Sequence, residues 1–317
     1  MILTITFTAS VAAAAAAATY IYINRRPRVG KRHKSKFHED DDAQIYVAMS
    51  SNALRCYSMS GEDLVLFDTL GEVSDAIREA GLVECQLIIG IDFTASNLTQ
   101  GEMTFGGRGL HSIEANVENP YQQVIRIIGH TLAPFNETGI IRGFGFGDSE
   151  TKDTSVFELD PQLHFCNGFK ELLAAYNETA QRVTMSGPTN FAPLIHRAIN
   201  IVRREKKYHI LVIIADGQVV DEVRTRNAIV AAAMWPISII MVGVGDGPWS
   251  MMEAFDAGLP ARKFDNFHFV DFNEIIKGSN DPDYEFALNA LMEIPKQYIA
   301  IKNSRLLSGS DSRDNLA

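Results

Sequence analysis

The chain of 317 residues carries 29 Lys+Arg against 39 Asp+Glu, a net charge of −10, with 46% apolar residues. That acidic balance argues against a nucleic-acid-binding body. Its cysteines, Cys56, Cys85 and Cys166, are far apart and form no CxxC pair, so neither a disulfide framework nor a zinc ribbon is indicated and a reducing compartment is expected.

Residues 1–23 contain no charged side chain and include the alanine run 12–18. As a helix rising ~1.5 Å per residue, the stretch would span roughly 35 Å, enough for a ~30 Å hydrocarbon core. Arg25, Arg26, Arg28, Lys31, Arg32, Lys34 and Lys36 follow directly, and basic flanks stay on the cytosolic side. The reading is a single-pass N-terminal anchor with the main domain cytosolic and the membrane unspecified. Alanine is only weakly hydrophobic and Ala16, Ala17 and Ala18 suit a cleavage site, so a helix outside the membrane and a processed leader are the alternatives. The basic flank suits either anionic lipid headgroups or a plain topology signal.

Residues 24–42 read as a linker, basic and then acidic from Glu39 to Asp42, and 43–66 as a poorly defined lead-in. Beyond residue 36 the balance is −17, from 22 basic and 39 acidic side chains.

Leu70, Val73, Ala76, Ile77 and Ala80 recur at helical spacing, with Gly81 as the stop. Leu87–Ile91 is a nearly continuous apolar run, as expected of a strand buried on both faces. Tyr121, Val124, Ile125 and Ile128 mark a helix, Gly139–Phe146 a strand, and Phe169, Leu172, Leu173 and Tyr176 another helix. Phe191, Leu194, Ile195, Ala198, Ile199 and Val202 predict an amphipathic helix beginning just after Thr189. His209–Ala215 reads as a second buried strand, residues 228–233 as a helix, and 237–242 and 267–270 as strands. Ala287, Leu288, Leu291 and Ile294 mark the closing helix, and 303–317 reads as a disordered tail. Such alternation predicts an α/β fold with a doubly wound, mostly parallel sheet and helices on both faces.

Three oxygen-bearing turns fall at the ends of these elements. Asp92, Thr94 and Ser96 follow the first buried strand with a spacing of two, so a chain leaving the strand in extended form would point all three oxygens one way. Thr189 sits in the stiff loop Gly187-Pro188-Thr189-Asn190, and Asp216-Gly217 closes the strand His209–Ala215. In an open α/β sheet, ligands collect outside the carboxyl ends of the strands. Two carboxylates and three hydroxyls without a nearby Cys or His form a hard oxygen set suited to Mg²⁺, Mn²⁺ or Ca²⁺. The patterns Gly143-x-Gly145-x-Gly147 and Gly243-x-Gly245-x-Gly247 are neither GxGxxG nor a Walker loop and read as packing or strand-end turns.

The order Asp92-x-Thr94-x-Ser96, then Thr189, then Asp216 resembles the metal-ion-dependent adhesion site of von Willebrand factor A domains, with Thr94 in place of the middle Ser. Asp92–Asn97, Gly187–Pro193 and Ser238–Gly245 resemble the A domain of the copines. Val242–Trp249, Pro260–Phe267 and Phe67–Leu70 are similar, more specifically, to the copine-type RING ubiquitin ligases of plants. The resemblance covers residues 67–302. It implies a divalent metal held by the five named residues and bridged to an acidic side chain of a protein partner. Residues 303–317 contain no Cys or His for a RING, so intrinsic ligase chemistry is not expected of this chain. The alternative is a RING-less relative that recruits substrate in ubiquitination with another ligase. No general base or second metal cluster points to hydrolysis.

Overall fold

The computed structural model describes residues 69–217 and 219–307. Among them the chain runs through α1 (Leu70–Glu79), β1 (Gln86–Asp92), α2 (Pro120–Leu132), β2 (Ile140–Phe146), the two-residue strands β3 (Phe157–Glu158) and β4 (Cys166–Asn167), α3 (Gly168–Arg182), α4 (Ala192–Glu205), β5 (His209–Ala215), α5 (Glu222–Ala232), β6 (Ile237–Gly243), α6 (Ser250–Ala257), β7 (Phe267–Asp271), α7 (Phe272–Ile276), α8 (Pro282–Leu291) and α9 (Ile294–Asn303). The sheet order is β3-β2-β1-β5-β6-β7, with β4 also on β2. The pairs β1–β2, β1–β5, β5–β6 and β6–β7 are parallel, and β3 and β4 are antiparallel to β2. The expected doubly wound, mostly parallel α/β architecture is the one observed.

Why these segments form strands is visible in burial. Every residue of β1, β5 and β6 is buried, which only a sheet covered on both faces allows. Leu87, Ile89, Ile91, Ile210, Val212 and Ile214 face one core, with α1, α2, α3, α8 and α9 over it. Ile88, Leu211, Ile213 and Ala215 face the other, under α4 and α5. In α4 alone, Leu194, Ile195, Ile201 and Val202 are at most 2% exposed, and a large apolar side chain fully buried is worth roughly 1.5–3 kcal/mol. The backbone of Gly90 lies against Leu194, so a side chain there would collide with α4.

The chain winds outward from β1 to β2, then returns past β1 to β5 and continues to β6 and β7. The β1–β5 boundary is therefore the topological switch point, where two crossovers leave in opposite directions and open a crevice at the carboxyl edge.

Three expectations need correction. The predicted closing helix is two helices, α8 and α9, interrupted at Met292 and Glu293, with Pro295 in the first turn of α9. Proline at the start of a helix is favoured because its missing N–H would have no partner there. The segment after β1 is not extended throughout, since Thr94 is extended but Ala95–Leu98 turns into a 3₁₀ helix. The membrane localisation is withdrawn. Among the described residues no helix is long and apolar enough to cross a membrane; the longest, α3, has 15 residues, or about 22 Å at 1.5 Å per residue. The anchor expected over 1–23, the linker 24–42, the lead-in 43–66, Cys56 and the part of the expected tail 303–317 beyond residue 307 lie outside the described residues.

Candidate metal centre

The five predicted site residues meet at the switch point. Asp92 ends β1, and the backbone N–H of Thr94 donates to its Oδ1 at 2.8 Å, closing a tight turn. The hydroxyls of Thr94 and Ser96 are 2.9 Å apart, and Thr189 Oγ1 lies 3.3 Å from Thr94 Oγ1. Thr189 reaches this row because the loop before it is hydrogen-bonded to the β1 exit: Ala95 N–H donates to the Ser186 carbonyl at 2.7 Å, and Ser186 N–H to those of Phe93 and Gly147 at 3.3 and 3.1 Å. Asp216 follows β5, whose register pairs Ile214 with Ile91. Asp92, Thr94, Thr189 and Asp216 are all at most 7% exposed, while Ser96 faces solvent.

Two buried carboxylates in one crevice pose an electrostatic problem. Among the described residues, Asp92 Oδ2 and both oxygens of Asp216 find no hydrogen-bond partner. Burial, then the charge of Asp216, pushes the Asp92 carboxyl well above the usual carboxylate range. Burial likewise pushes Asp216 up to about 6. The Ser96 hydroxyl tempers that rise but is turned toward Thr94 and closes no hydrogen bond to Asp216. Such a pair comes to rest when protonated or when a cation joins it. Among the described residues no group of three or more His, Cys, Asp or Glu is arranged to hold a metal ion, so a divalent ion here would rest on two carboxylates and neutral hydroxyls. That donor set fits a hard cation.

Beneath the site lies a polar layer that the sequence reading did not single out. His111 Nε2 is 2.8 Å from the Asp92 carbonyl, and burial holds the ring down at about 4, hence neutral. Nε2–H must then donate to that carbonyl, leaving Nδ1 to accept from the Tyr176 hydroxyl at 2.9 Å. Tyr121 donates to Asn97 Oδ1 at 2.7 Å, and Asn97 Nδ2 donates to the carbonyls of Asp92 and Thr94 at 3.3 and 3.1 Å. His111 stacks on Phe93 and Tyr121, with ring centroids 4.7 and 4.1 Å away. In sequence His111 is one of eight scattered histidines; no local spacing ties it to Asp92. Gly147, expected as a strand-end turn or close-packing glycine, also takes part. Its φ is +84°, and a Cβ there would run into Thr94 Cγ2 and lie 3.3 Å from Asp92 Oδ1.

Asp246 is not a member of the oxygen row. It accepts from Met103 N–H (3.0 Å), Thr104 N–H (2.9 Å) and the Thr104 hydroxyl (2.6 Å), pinning the loop that follows Ser96.

A family model described as Copine matches residues 109–310. The chain belongs to the copine family. It is 53% identical over 247 residues to Copine family protein 2 of Caenorhabditis elegans, covering 77% of this chain and 3% of that protein. Copine family protein 1 of the same organism is 53% identical over 252 residues, covering 78% and 23%. The E3 ubiquitin-protein ligase RGLG1 of Arabidopsis thaliana is 48% identical over 281 residues, covering 84% and 57%. This copine chain thus spans less than two thirds of each of these relatives. Among solved structures, manganese-loaded TRAP protein of Plasmodium vivax aligns at 12% identity over 61% of this chain and 70% of its own, TM-score 0.40. Proximal thread matrix protein 1 from the mussel byssus, with a zinc-occupied MIDAS motif, aligns at 14% identity over 69% and 46%, TM-score 0.35.

Proposed function

We propose that this copine domain is a metal-dependent protein-binding module in which a divalent ion, Mg²⁺ or alternatively Mn²⁺ or Ca²⁺, is held by Asp92, Thr94, Ser96, Thr189 and Asp216 and bridges to an acidic side chain of a partner. The observation that carries this reading is the trio of unpartnered, buried carboxylate oxygens on Asp92 and Asp216. A divalent ion would cancel their mutual repulsion and supply the missing contacts. Three of the five donors are neutral, which leaves the ion electrophilic enough to attract a further carboxylate. Ser96, the solvent-facing donor, marks the side from which that carboxylate would arrive.

The chain's own residues do the orienting. Thr94 N–H holds one Asp92 oxygen so that the other points into the crevice. His111, Tyr121 and Asn97 fix the backbone behind it.

Calorimetric titration of Mg²⁺ and Mn²⁺ into the full chain tests the reading. Wild type is expected to bind one ion, with Asp92→Ala and Asp216→Ala abolishing the heat. Equal binding by wild type and both variants sinks it.

A further inference from the structure

Eight large apolar side chains are exposed on the described surface; Val83, Leu163, Met234 and Ile299 are scattered away from the segments that follow β1 and β5, and the other four are not. Leu98 (60% exposed), Met103 (79%), Val220 (73%) and Val223 (58%) lie two and seven residues after Ser96 and four and seven after Asp216, around the candidate metal centre. Single exposed apolar residues need no explanation, but a group on one face marks an interaction site.

All four sit on hydrogen-bonded backbone. Met103 is presented by the Asp246 clamp, whose carboxylate takes the N–H of Met103 itself. Val220 N–H donates to the carbonyl of Thr189 at 3.0 Å, so its backbone is tied to the oxygen row. Leu98 ends the 3₁₀ helix, which Leu110 N–H braces through the Asn97 carbonyl at 2.8 Å. Val223 lies in the first turn of α5, which Asp221 caps. A surface ordered before a partner arrives loses little entropy on docking.

Between Thr189 and Val220 opens a cleft of about 450 Å³. Each of the three acids that line it faces an arginine: Asp153 and Asp221 share Arg224 at 3.3 and 3.8 Å, and Glu222 pairs with Arg226. Beside these paired charges, Val220 and Val223 give the rim its apolar surface.

We infer that Leu98, Met103, Val220 and Val223 form a preorganised collar that selects a partner segment whose metal-seeking carboxylate is flanked by apolar side chains. The inference rests on the metal-bridging reading above: the ion takes the carboxylate, and the collar reads its neighbours. Charge complementarity sets the centre and hydrophobic contact the flanks, so charged or strongly polar flanks are selected against.

Three short synthetic peptides serve as probes: a central Glu with Leu on both sides, the same Glu with Ser on both sides, and a central Gln with Leu on both sides. Fluorescence anisotropy with the full chain in Mg²⁺ is expected to rank the Leu-flanked Glu peptide about tenfold tighter than the Ser-flanked one, as partial burial of one or two such side chains implies, with the Gln peptide unbound. The double variant Met103→Ser, Val220→Ser changes only exposed side chains, so it folds; it should erase the preference while its Mg²⁺ affinity by calorimetry stays that of wild type. Equal affinity for Leu and Ser flanks, or a preference that survives the double variant, overturns the collar alone; no Glu-peptide binding by a chain that binds Mg²⁺ overturns the bridge and the collar with it. Binding of the Gln peptide that persists in EDTA and in Asp216→Ala overturns the metal bridge, and the collar with it.

Discussion

Ile91 pairs with Ile214 across the β1–β5 boundary, which brings Asp92 and Asp216 to the carboxyl ends of two adjacent parallel strands, each fully buried. Neighbouring strands run about 4.8 Å apart. The charge of Asp216 raises the Asp92 carboxyl, so the two carboxylates repel, and among the described residues no hydrogen bond reaches Asp92 Oδ2 or the two Asp216 oxygens.

Removing one charge should therefore stabilise the metal-free protein. Asp216→Asn is expected to raise the melting temperature in EDTA and to abolish the rise that Mg²⁺ produces in wild type. At a hundredfold excess over Kd that rise corresponds to about 2.7 kcal/mol, or roughly 5–10 °C for a domain of this size. Differential scanning calorimetry with and without Mg²⁺ checks both parts, and a variant that melts lower than wild type in EDTA contradicts the repulsion argument.

Gly147 should be irreplaceable for the site. Its positive φ and its closeness to Thr94 and Asp92 Oδ1 mean that Gly147→Ala combines backbone strain with a collision against the oxygen row. A loss of roughly 1–3 kcal/mol in stability is expected, together with at least a tenfold weaker Mg²⁺ affinity. Unchanged affinity by calorimetry would show that the row can shift without cost.

Tyr121→Phe removes the hydroxyl that donates to Asn97 Oδ1 and leaves that buried acceptor unsatisfied. The expected destabilisation is about 1–3 kcal/mol, measured by urea denaturation. Because Asn97 in turn holds the carbonyls of Asp92 and Thr94, a several-fold loss of Mg²⁺ affinity should accompany it.

His268, away from the oxygen row, sets a pH dependence. Burial opposes its charge, yet Glu293 and Asp256 at 3.6 and 3.4 Å and the Asn289 carbonyl outweigh it and raise the imidazole to about 10. In the unfolded chain it titrates near ~6.5. A group raised on folding contributes its full stability below the unfolded value and loses it as pH climbs through the folded one. Between pH ~6.5 and about 10, wild type should lose up to about 1.4 kcal/mol per pH unit relative to His268→Gln. Denaturation curves at pH 6, 8 and 10 that run parallel for the two proteins would refute a charged His268.

Local pattern carried much of this fold. His209–Ala215 is legible because a parallel strand covered on both faces is apolar at nearly every position, and the strand after Gly139 because Ile140, Ile141, Phe144 and Phe146 outweigh Arg142. The helix after Thr189 begins at Ala192, a little later than the periodicity suggests, since Asn190 Oδ1 accepts from Ala192 N–H and holds the preceding turn. The two-residue strands β3 and β4 escaped notice, being too short for any periodicity to register.

By itself, the sequence determined the alternation of elements, the family, and the identity of five candidate oxygen-bearing residues, because each is written in residue types over a few consecutive positions. Only the tertiary structure decided that these five side chains meet at the β1–β5 switch point, since strand order is set by long-range pairing that no local segment encodes. Tertiary packing alone also brought His111 and Gly147 against Asp92. The path after Asp92 belongs to the same class: Ser96 joins Thr94 through a 3₁₀ turn, braced by Asn97, rather than by extended alternation.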